Sequence, residues 1–515
     1  MAAPSYKWLL PALLFLAIAR LWLMPLGSSF WVDEMGTVFV VHHGAGDPSL
    51  RPVPQVPASI YYELPRLAER AFGYSEIAFR IPSVLALMLA LYFIARIAGR
   101  LIDGGAGWFA AFACLSLRGF NYQAADARPY ALGTLVAAAA FWFLIRWLDR
   151  ESWRDALLFA LAAALLWRVQ LVFWPMYVAF ALYAAVRLRL GDTRVGWTRV
   201  MAVFACCGLT LVPVLFSALT IYRNAGAHVI APRPSALDLL RTLKLGLIAA
   251  CAAGAALIGL PVPALRVKLR GRFDSGAGLI AAWWLMQPLC LFAFSWITAN
   301  SVFVHRYIDI ALPGAALAAT AAAAAFLPPA RWPLASALLG VAVLLLLGDW
   351  RQPWPAHHNS GWRAAAHHLN ALEPGLPVIC PSPFIEARPP VWQPDAPAAG
   401  FLYSNLEAYP IHGPLYAFPY EISGEGERYA AVLLRNKLAP AGRFAIYGTT
   451  YVLPAWRGWF TARPELAGWQ SRSLGPFGDV DVIVFTPQPV RIASECANGS
   501  HCLTYSHSCA SCWLP

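Results

Sequence analysis

Apolar residues run in long, nearly unbroken stretches through the first two thirds of the chain, rather than in the alternation of half-buried strands. Eleven such stretches, at 8–26, 79–98, 106–120, 130–148, 155–169, 171–187, 200–220, 240–260, 277–297, 308–327 and 334–349, approach the ~20 residues that cross a bilayer as a helix. The third and fifth are short and are expected to be tilted or partly re-entrant. Only Lys7 precedes the first, which lacks a small-residue cleavage motif and is predicted to be a retained anchor. Beyond residue 349 the pattern changes. Trp362–Leu372 and Tyr451–Ala462 read as helices, and Val378–Cys380, Phe444–Tyr447 and Val480–Phe485 read as strands, an alternation that predicts a small α/β domain. The expected fold is an all-α polytopic membrane protein of about 11 transmembrane helices, carrying a C-terminal extracytoplasmic α/β domain. The boundaries are 1–349 for the membrane module with its long loop 27–78, 350–490 for the α/β domain, and 491–515 for a Cys-rich tail.

Composition sharpens this picture. The 515 residues are 59% hydrophobic and 13% charged, with a mean hydropathy of +0.54. Soluble chains run nearer 45–50% apolar and about 25% charged, which excludes an ordinary soluble enzyme. The net charge of +12 comes with no basic cluster interleaved with aromatics, so no nucleic-acid partner is expected. It fits Arg-rich loops on one side of a membrane: Arg96 and Arg100; Arg146, Arg150 and Arg154; Arg187, Arg189, Arg194 and Arg199; Arg266, Lys268, Arg270 and Arg272. The positive-inside rule then puts the N-terminus in the cytoplasm, and an odd number of spans puts residues 350–515 outside. Loop stretches 34–42 and 57–72 are apolar enough to lie along the membrane surface.

Two constellations carry candidate chemistry. In Trp31-Val32-Asp33-Glu34, just past the first span, a carboxylate at the membrane boundary can take a proton from an attacking hydroxyl or amine. The plainer alternative is that Asp33 caps a helix beginning at Glu34. The second runs from Asn121 to Tyr130, where Pro129 suits a first helical turn. That places Arg128 at a helix N-terminus, where an anion is welcome and a lone cation is not. Arg128 either binds such an anion or pairs with Asp126 or lipid headgroups. Arg80 opens the second span and Arg306-Tyr307 the tenth in the same way. Three arginines on the side where cations are scarce point to a pocket for a negatively charged headgroup.

These residues resemble the glycosyltransferase C superfamily. The similarity rests on the acidic pair Asp33-Glu34, on Glu76-x-x-x-Arg80-x-Pro82-Ser83, on Asp126-Ala-Arg128-Pro129-Tyr130-Ala131-Leu132, and on Arg306-Tyr307. Asp349-Trp350-Arg351, or Gly361-Trp362-Arg363, would lead into the outer domain. The bacterial members similar to protein O-mannosyltransferases and lipid A aminoarabinose transferases are the nearest in pattern. The resemblance spans about residues 1–370 and is strongest over 28–135. It implies a bacterial inner-membrane enzyme that moves a sugar, with inversion, from a polyprenyl-phosphate carrier to a lipid, glycan or protein acceptor at the outer face. Asp33 would be the base and Glu34 its neighbour. Arg128, Arg306 and Arg80 would hold the carrier phosphate, with Tyr130 and Tyr307 bonding its oxygens. Ala125 stands where relatives often carry Gln, which leaves Asp126 open between catalytic partner, metal ligand and salt bridge. No metal or other cofactor is expected.

His42-His43, His357-His358 and His367-His368 invite a metal reading, but adjacent histidines diverge on a helix. In the tail, Cys496, Cys502, Cys509 and Cys512 favour disulfides in an oxidising compartment, with a zinc knuckle through His501 and His507 as the alternative. A rival reading is a multi-pass lipid or solute transporter. Its charges should lie at mid-membrane, between broken helices.

Overall fold

The computed structural model describes residues 8–51, 53, 59–223, 231–259, 274–298, 300–387 and 398–488. Helix α1 (Leu9–Ile18) continues through a wide turn at Ala19–Leu23 and a tight one at Met24–Gly27. The first long loop holds α2 (Val32–His43) and α3 (Glu63–Phe72). There follow α4 (Glu76–Leu101), α5 (Gly107–Leu115), α6 (Arg118–Tyr122), α7 (Tyr130–Arg150), α8 (Trp153–Val169), α9 (Pro175–Arg189) and α10 (Trp197–Arg223). The membrane module ends with α11 (Ala236–Thr242), α12 (Leu245–Gly259), α13 (Ser275–Ile297), α14 (His305–Ile308), α15 (Leu312–Ala324) and α16 (Trp332–Leu347).

Eight helices among the described residues are long and apolar enough to cross a membrane, or nine if α11 and α12, bent by 41°, form one span. Of the eleven expected, eight or nine are matched among the described residues. The stretch 106–120 yields only the 9-residue α5, about 14 Å long, because the chain turns at Ser116 into α6. Helix α8, at 17 residues, reaches about 26 Å. Large apolar side chains face outward along the module, among them Leu85, Leu89 and Tyr92 on α4 and Leu157, Leu161 and Leu165 on α8. That is the surface a lipid-embedded helix presents.

The interior is packed through small residues. A Cβ added at Gly314 on α15 would lie 2.4 Å from the Trp284 backbone nitrogen, so glycine is what lets α15 lie against α13. Helix α7 separates two chemistries by about 30 Å. At its Arg150 end, Arg187 and Arg100 pair with Asp149 at 2.8 and 3.0 Å, and Arg146 pairs with Asp155 at 3.1 Å. Its Tyr130 end carries the candidate site. Arg266, Lys268, Arg270 and Arg272 lie outside the described residues.

The C-terminal domain comprises α17 (Trp362–Asn370), β1 (Val378–Pro381), α18 (Ser404–Ala408), β2 (Leu415–Phe418), α19 (Gly424–Leu433), β3 (Phe444–Thr449), α20 (Leu453–Thr461), β4 (Trp469–Ser473) and β5 (Val480–Pro487). Sheet order is β2-β1-β3-β5-β4, parallel for β2, β1 and β3 and antiparallel beyond. Alternation along β1, β3 and β5 gives the sheet two apolar faces. Ile379, Ile446 and Ile483 pack against α19 and α20, whereas Val378, Tyr447 and Val482 share a core with α17 and with Phe30, Met35 and Val38 of the first loop. The domain is thus seated on the loop that carries the candidate carboxylates. The tail cysteines Cys496, Cys502, Cys509 and Cys512 lie outside the described residues.

Candidate active site

Helix α2 begins at Val32, two residues before its buried run Glu34–Val41. Trp31 is its extended N-cap residue, and its backbone N–H donates to Glu34 Oε2 at 3.2 Å. Asp33 is therefore not the cap. Glu34 closes the helix start, leaving Asp33 free to point elsewhere. Glu34 itself is fully buried. Its Oε1 accepts from Arg80 Nε at 2.8 Å and from the Ala127 N–H at 2.7 Å, and its Oε2 accepts from Arg80 Nη2 at 2.5 Å. The rest of the Arg80 guanidinium donates to the carbonyls of Leu26, Ser28 and Ser29. Arg80 and Glu34, placed by the sequence in a phosphate site and a catalytic pair, instead tie α4 to α2.

The segment 126–128 is held on three sides. Ser83 Oγ of α4 donates to Asp126 O at 2.7 Å, Thr37 Oγ1 of α2 donates to Ala127 O at 2.9 Å, and the Ala127 N–H is bound by Glu34 as above. Arg128 is thereby aimed at α2: Nη1 donates to Asp33 O at 3.1 Å, and Nη2 lies 4.0 Å from Asp33 Oδ2. It does not pair with Asp126. From α14, Arg306 Nη1 reaches Asp33 Oδ2 at 3.1 Å. Gln287 of α13 fixes this arm by donating to Tyr307 O at 2.8 Å. The rings of Tyr130 and Tyr307 stand 6.2 Å apart beside it.

The structure thus gathers Asp33 of α2, Arg128 of the segment leading into α7, Tyr130 of α7, and Arg306 and Tyr307 of α14. Two guanidinium groups face one carboxylate. The Nε atoms of Arg128 and Arg306 and the Tyr130 hydroxyl are buried without a hydrogen-bond partner among the described residues. Three desolvated donors around an over-balanced positive charge suit an anion with several oxygens.

Asp126 lies to one side, buried, accepting from the Trp31 indole Nε1 at 3.0 Å. Burial pushes its carboxyl up to about 6, against the pull of that indole N–H and of Arg128. His357 Nε2 stands 3.8 Å from its Oδ1. Glu34, Asp126 and His357 bring one potential ligand atom each within 4.8 Å of one another, a composition that suits a divalent cation. The Glu34 oxygens, however, are already engaged by Arg80, the Ala127 N–H and the Trp31 N–H. Trp31, Tyr62, His357 and His358 border the site without having been singled out for it. Trp31 sits inside the first motif, whereas the histidines come from a stretch more than 300 residues away in sequence.

Residues 62–217 match the family model described as dolichyl-phosphate-mannose-protein mannosyltransferase. No curated protein matches the chain by sequence. Among solved structures, the chain is similar to ArnT from Cupriavidus metallidurans in the apo state, with TM-score 0.55 and 12% identity over 94% of this chain and 98% of that one. The same protein bound to undecaprenyl phosphate gives TM-score 0.54 and 12% identity over 93% and 98% of the two chains. The motif resemblance and the architecture agree: the chain has the fold of the glycosyltransferase C superfamily.

Proposed function

We propose that the chain is an integral-membrane glycosyltransferase that takes a sugar from a polyprenyl-phosphate carrier and passes it to an acceptor at the outer face of a bacterial inner membrane. The observation that carries this reading is Asp33 held between Arg128 and Arg306, with three unpartnered donors around it. The undecaprenyl phosphate bound by the structurally similar ArnT supports a carrier of the same class. The carrier phosphate takes the place of the Asp33 carboxylate on Arg306, which frees Asp33 Oδ2. The acceptor oxygen or nitrogen then attacks the anomeric carbon, opposite the leaving phosphate. As the C–O bond to phosphate breaks, its electron pair goes to the phosphate, where Arg128 and Arg306 stabilise the added charge. Asp33 takes the acceptor proton. The anomeric configuration inverts. With Glu34 committed to Arg80, charge stabilisation is assigned to the arginines and no metal is invoked.

The test is native mass spectrometry of the protein purified in mild detergent, wild type beside Arg128→Ala. A polyprenyl phosphate, with or without its sugar, that is carried by the wild type and lost from the variant supports the donor site. If the wild type retains none and also fails to bind added undecaprenyl phosphate, the transferase reading falls and transport moves ahead.

A further inference from the structure

The stretch between α16 and α17 lies along residues 20–31, the segment that leads into Asp33. Arg20 anchors its start: Nε donates to Gly348 O at 2.6 Å, Nη2 to Asp349 O at 2.8 Å and Gln352 O at 2.6 Å, and Nη1 to Pro353 O at 2.8 Å. Arg363 anchors its end, its N–H donating to Ser29 Oγ at 3.2 Å and its Nη2 to Gly27 O at 2.8 Å. Between these anchors stand His357 and His358. The His358 ring stacks on the Trp31 indole at 4.4 Å and 28°, and its Nε2 is hydrogen-bonded to the Tyr122 hydroxyl. The His357 N–H donates to Ser28 Oγ at 3.1 Å, and its ring packs 4.4 Å from Tyr122 and 3.8 Å from Asp126.

Trp31 is the shared contact. It caps α2 two residues before Asp33, donates to Asp126, and lies under the Arg306 guanidinium at 5.7 Å. One ring therefore contacts Asp126 and Arg306 and stands two residues before Asp33. We propose that His358 and His357 are positioning residues of the transfer site, His358 stacked on the Trp31 indole and His357 standing beside Asp126, so that Asp126 and Arg306 are fixed relative to Asp33. This inference rests on the donor-site reading above. It makes the stretch 348–363 part of the site and not merely a connection to the C-terminal domain. Burial lowers His357 to about 3 and His358 to about 4, which keeps both rings neutral.

The experiment compares full-length wild type, His358→Ala and His358→Phe by undecaprenyl phosphate titration and by amide hydrogen exchange over residues 28–36. The alanine variant is expected to bind about 3- to 10-fold more weakly, the worth of one aromatic stack, and to exchange faster over 28–36 while the β1–β5 sheet is unchanged. The phenylalanine variant keeps the stack and should recover most of both. Equal behaviour of wild type and His358→Ala overturns the proposal, as does equal loss in both variants. If the wild type binds no undecaprenyl phosphate, the donor-site reading fails, and exchange alone decides. Faster exchange in His358→Ala with recovery in His358→Phe then still supports the clamp, and unchanged exchange overturns it.

Discussion

Glu34 and Arg80 form a fully buried, two-pronged ion pair, at 2.8 and 2.5 Å, between the first turn of α2 and the first turns of α4. Removing one partner of such a pair strands the other in a low-dielectric interior, at a cost of about 3–5 kcal/mol. Glu34→Gln and Arg80→Met should each lower the thermal midpoint in detergent sharply. The double variant should lose less than the sum of the two, which a double-mutant cycle on melting would measure. Losses that simply add would mean the pair does not hold α2.

Asp33 should behave in the opposite manner. It is partly exposed and no helix start depends on it. Asp33→Asn should melt near wild type and bind undecaprenyl phosphate at least as well, because Arg306 no longer has an internal carboxylate competing for it. Sugar transfer should fall about 10²- to 10⁴-fold, the usual worth of a general base. Intact transfer in this variant would remove Asp33 from the mechanism.

Asp126 makes a prediction in pH. Its carboxyl is raised from 3.8 to about 6, chiefly by burial. A group raised in the folded state favours folding while it is protonated, and that advantage is lost as pH rises through its folded value. Asp126 is thus a growing liability between about pH 4 and 6 and a constant one, of about 3 kcal/mol, above that. Asp126→Asn, which still accepts from Trp31, should melt higher than wild type at pH 7.5, and the gap should close toward pH 4. Melting curves across that range decide it.

His42 shows a second pH dependence, of the other chemical kind. Its Nδ1 lies 2.6 Å from Glu407 of α18 and its Nε2 2.9 Å from Glu69 of α3. A neutral imidazole has one N–H, so both contacts are satisfied only by the imidazolium. The bond to Glu407 accordingly raises His42 above 6.5, against the desolvation it suffers. His43 bonds the same Glu407 at 3.0 Å, and Tyr74 and Arg66 complete the surroundings. The latch is complete below about pH 6.5 and is lost as pH rises through the raised value. For a half-exposed group this is worth about 1 kcal/mol or less. Hydrogen exchange at 404–408 should quicken as pH rises beyond the chemical trend in wild type, and should not do so in His42→Gln.

Much of this architecture was legible in the chain. Unbroken apolar runs announce spanning helices because a lipid-facing helix needs no polar stripe, and Asp33, Arg128 and Arg306 stood out as charges at the ends of such runs. The tie between Arg80 and Glu34 was not legible, since it joins residues 46 apart through a fold the motif cannot specify. Adjacent histidines on a helix would diverge, yet His357 and His358 lie in an irregular stretch where adjacent rings reach Asp126 and Trp31 respectively. Strands β2 and β4 are not legible in the sequence because they are the sheet's edges. Trp469–Ser473 in particular is polar and half-exposed, with too little apolar alternation to announce a strand.

The Arg20 anchor also orders events during synthesis. Its carbonyl partners begin 328 residues later in the chain, so a ribosome must make nearly the whole membrane module before that cation is satisfied. Until then the first helix carries a charge into the bilayer edge with only snorkelling to relieve it. Trp31 and the late-made His358 therefore meet only in a chain extended past its last apolar helix. A product truncated before Gly348 would keep Asp33, Arg128 and Arg306 but lose every backbone carbonyl that holds Arg20, along with both histidines beside Trp31 and Asp126.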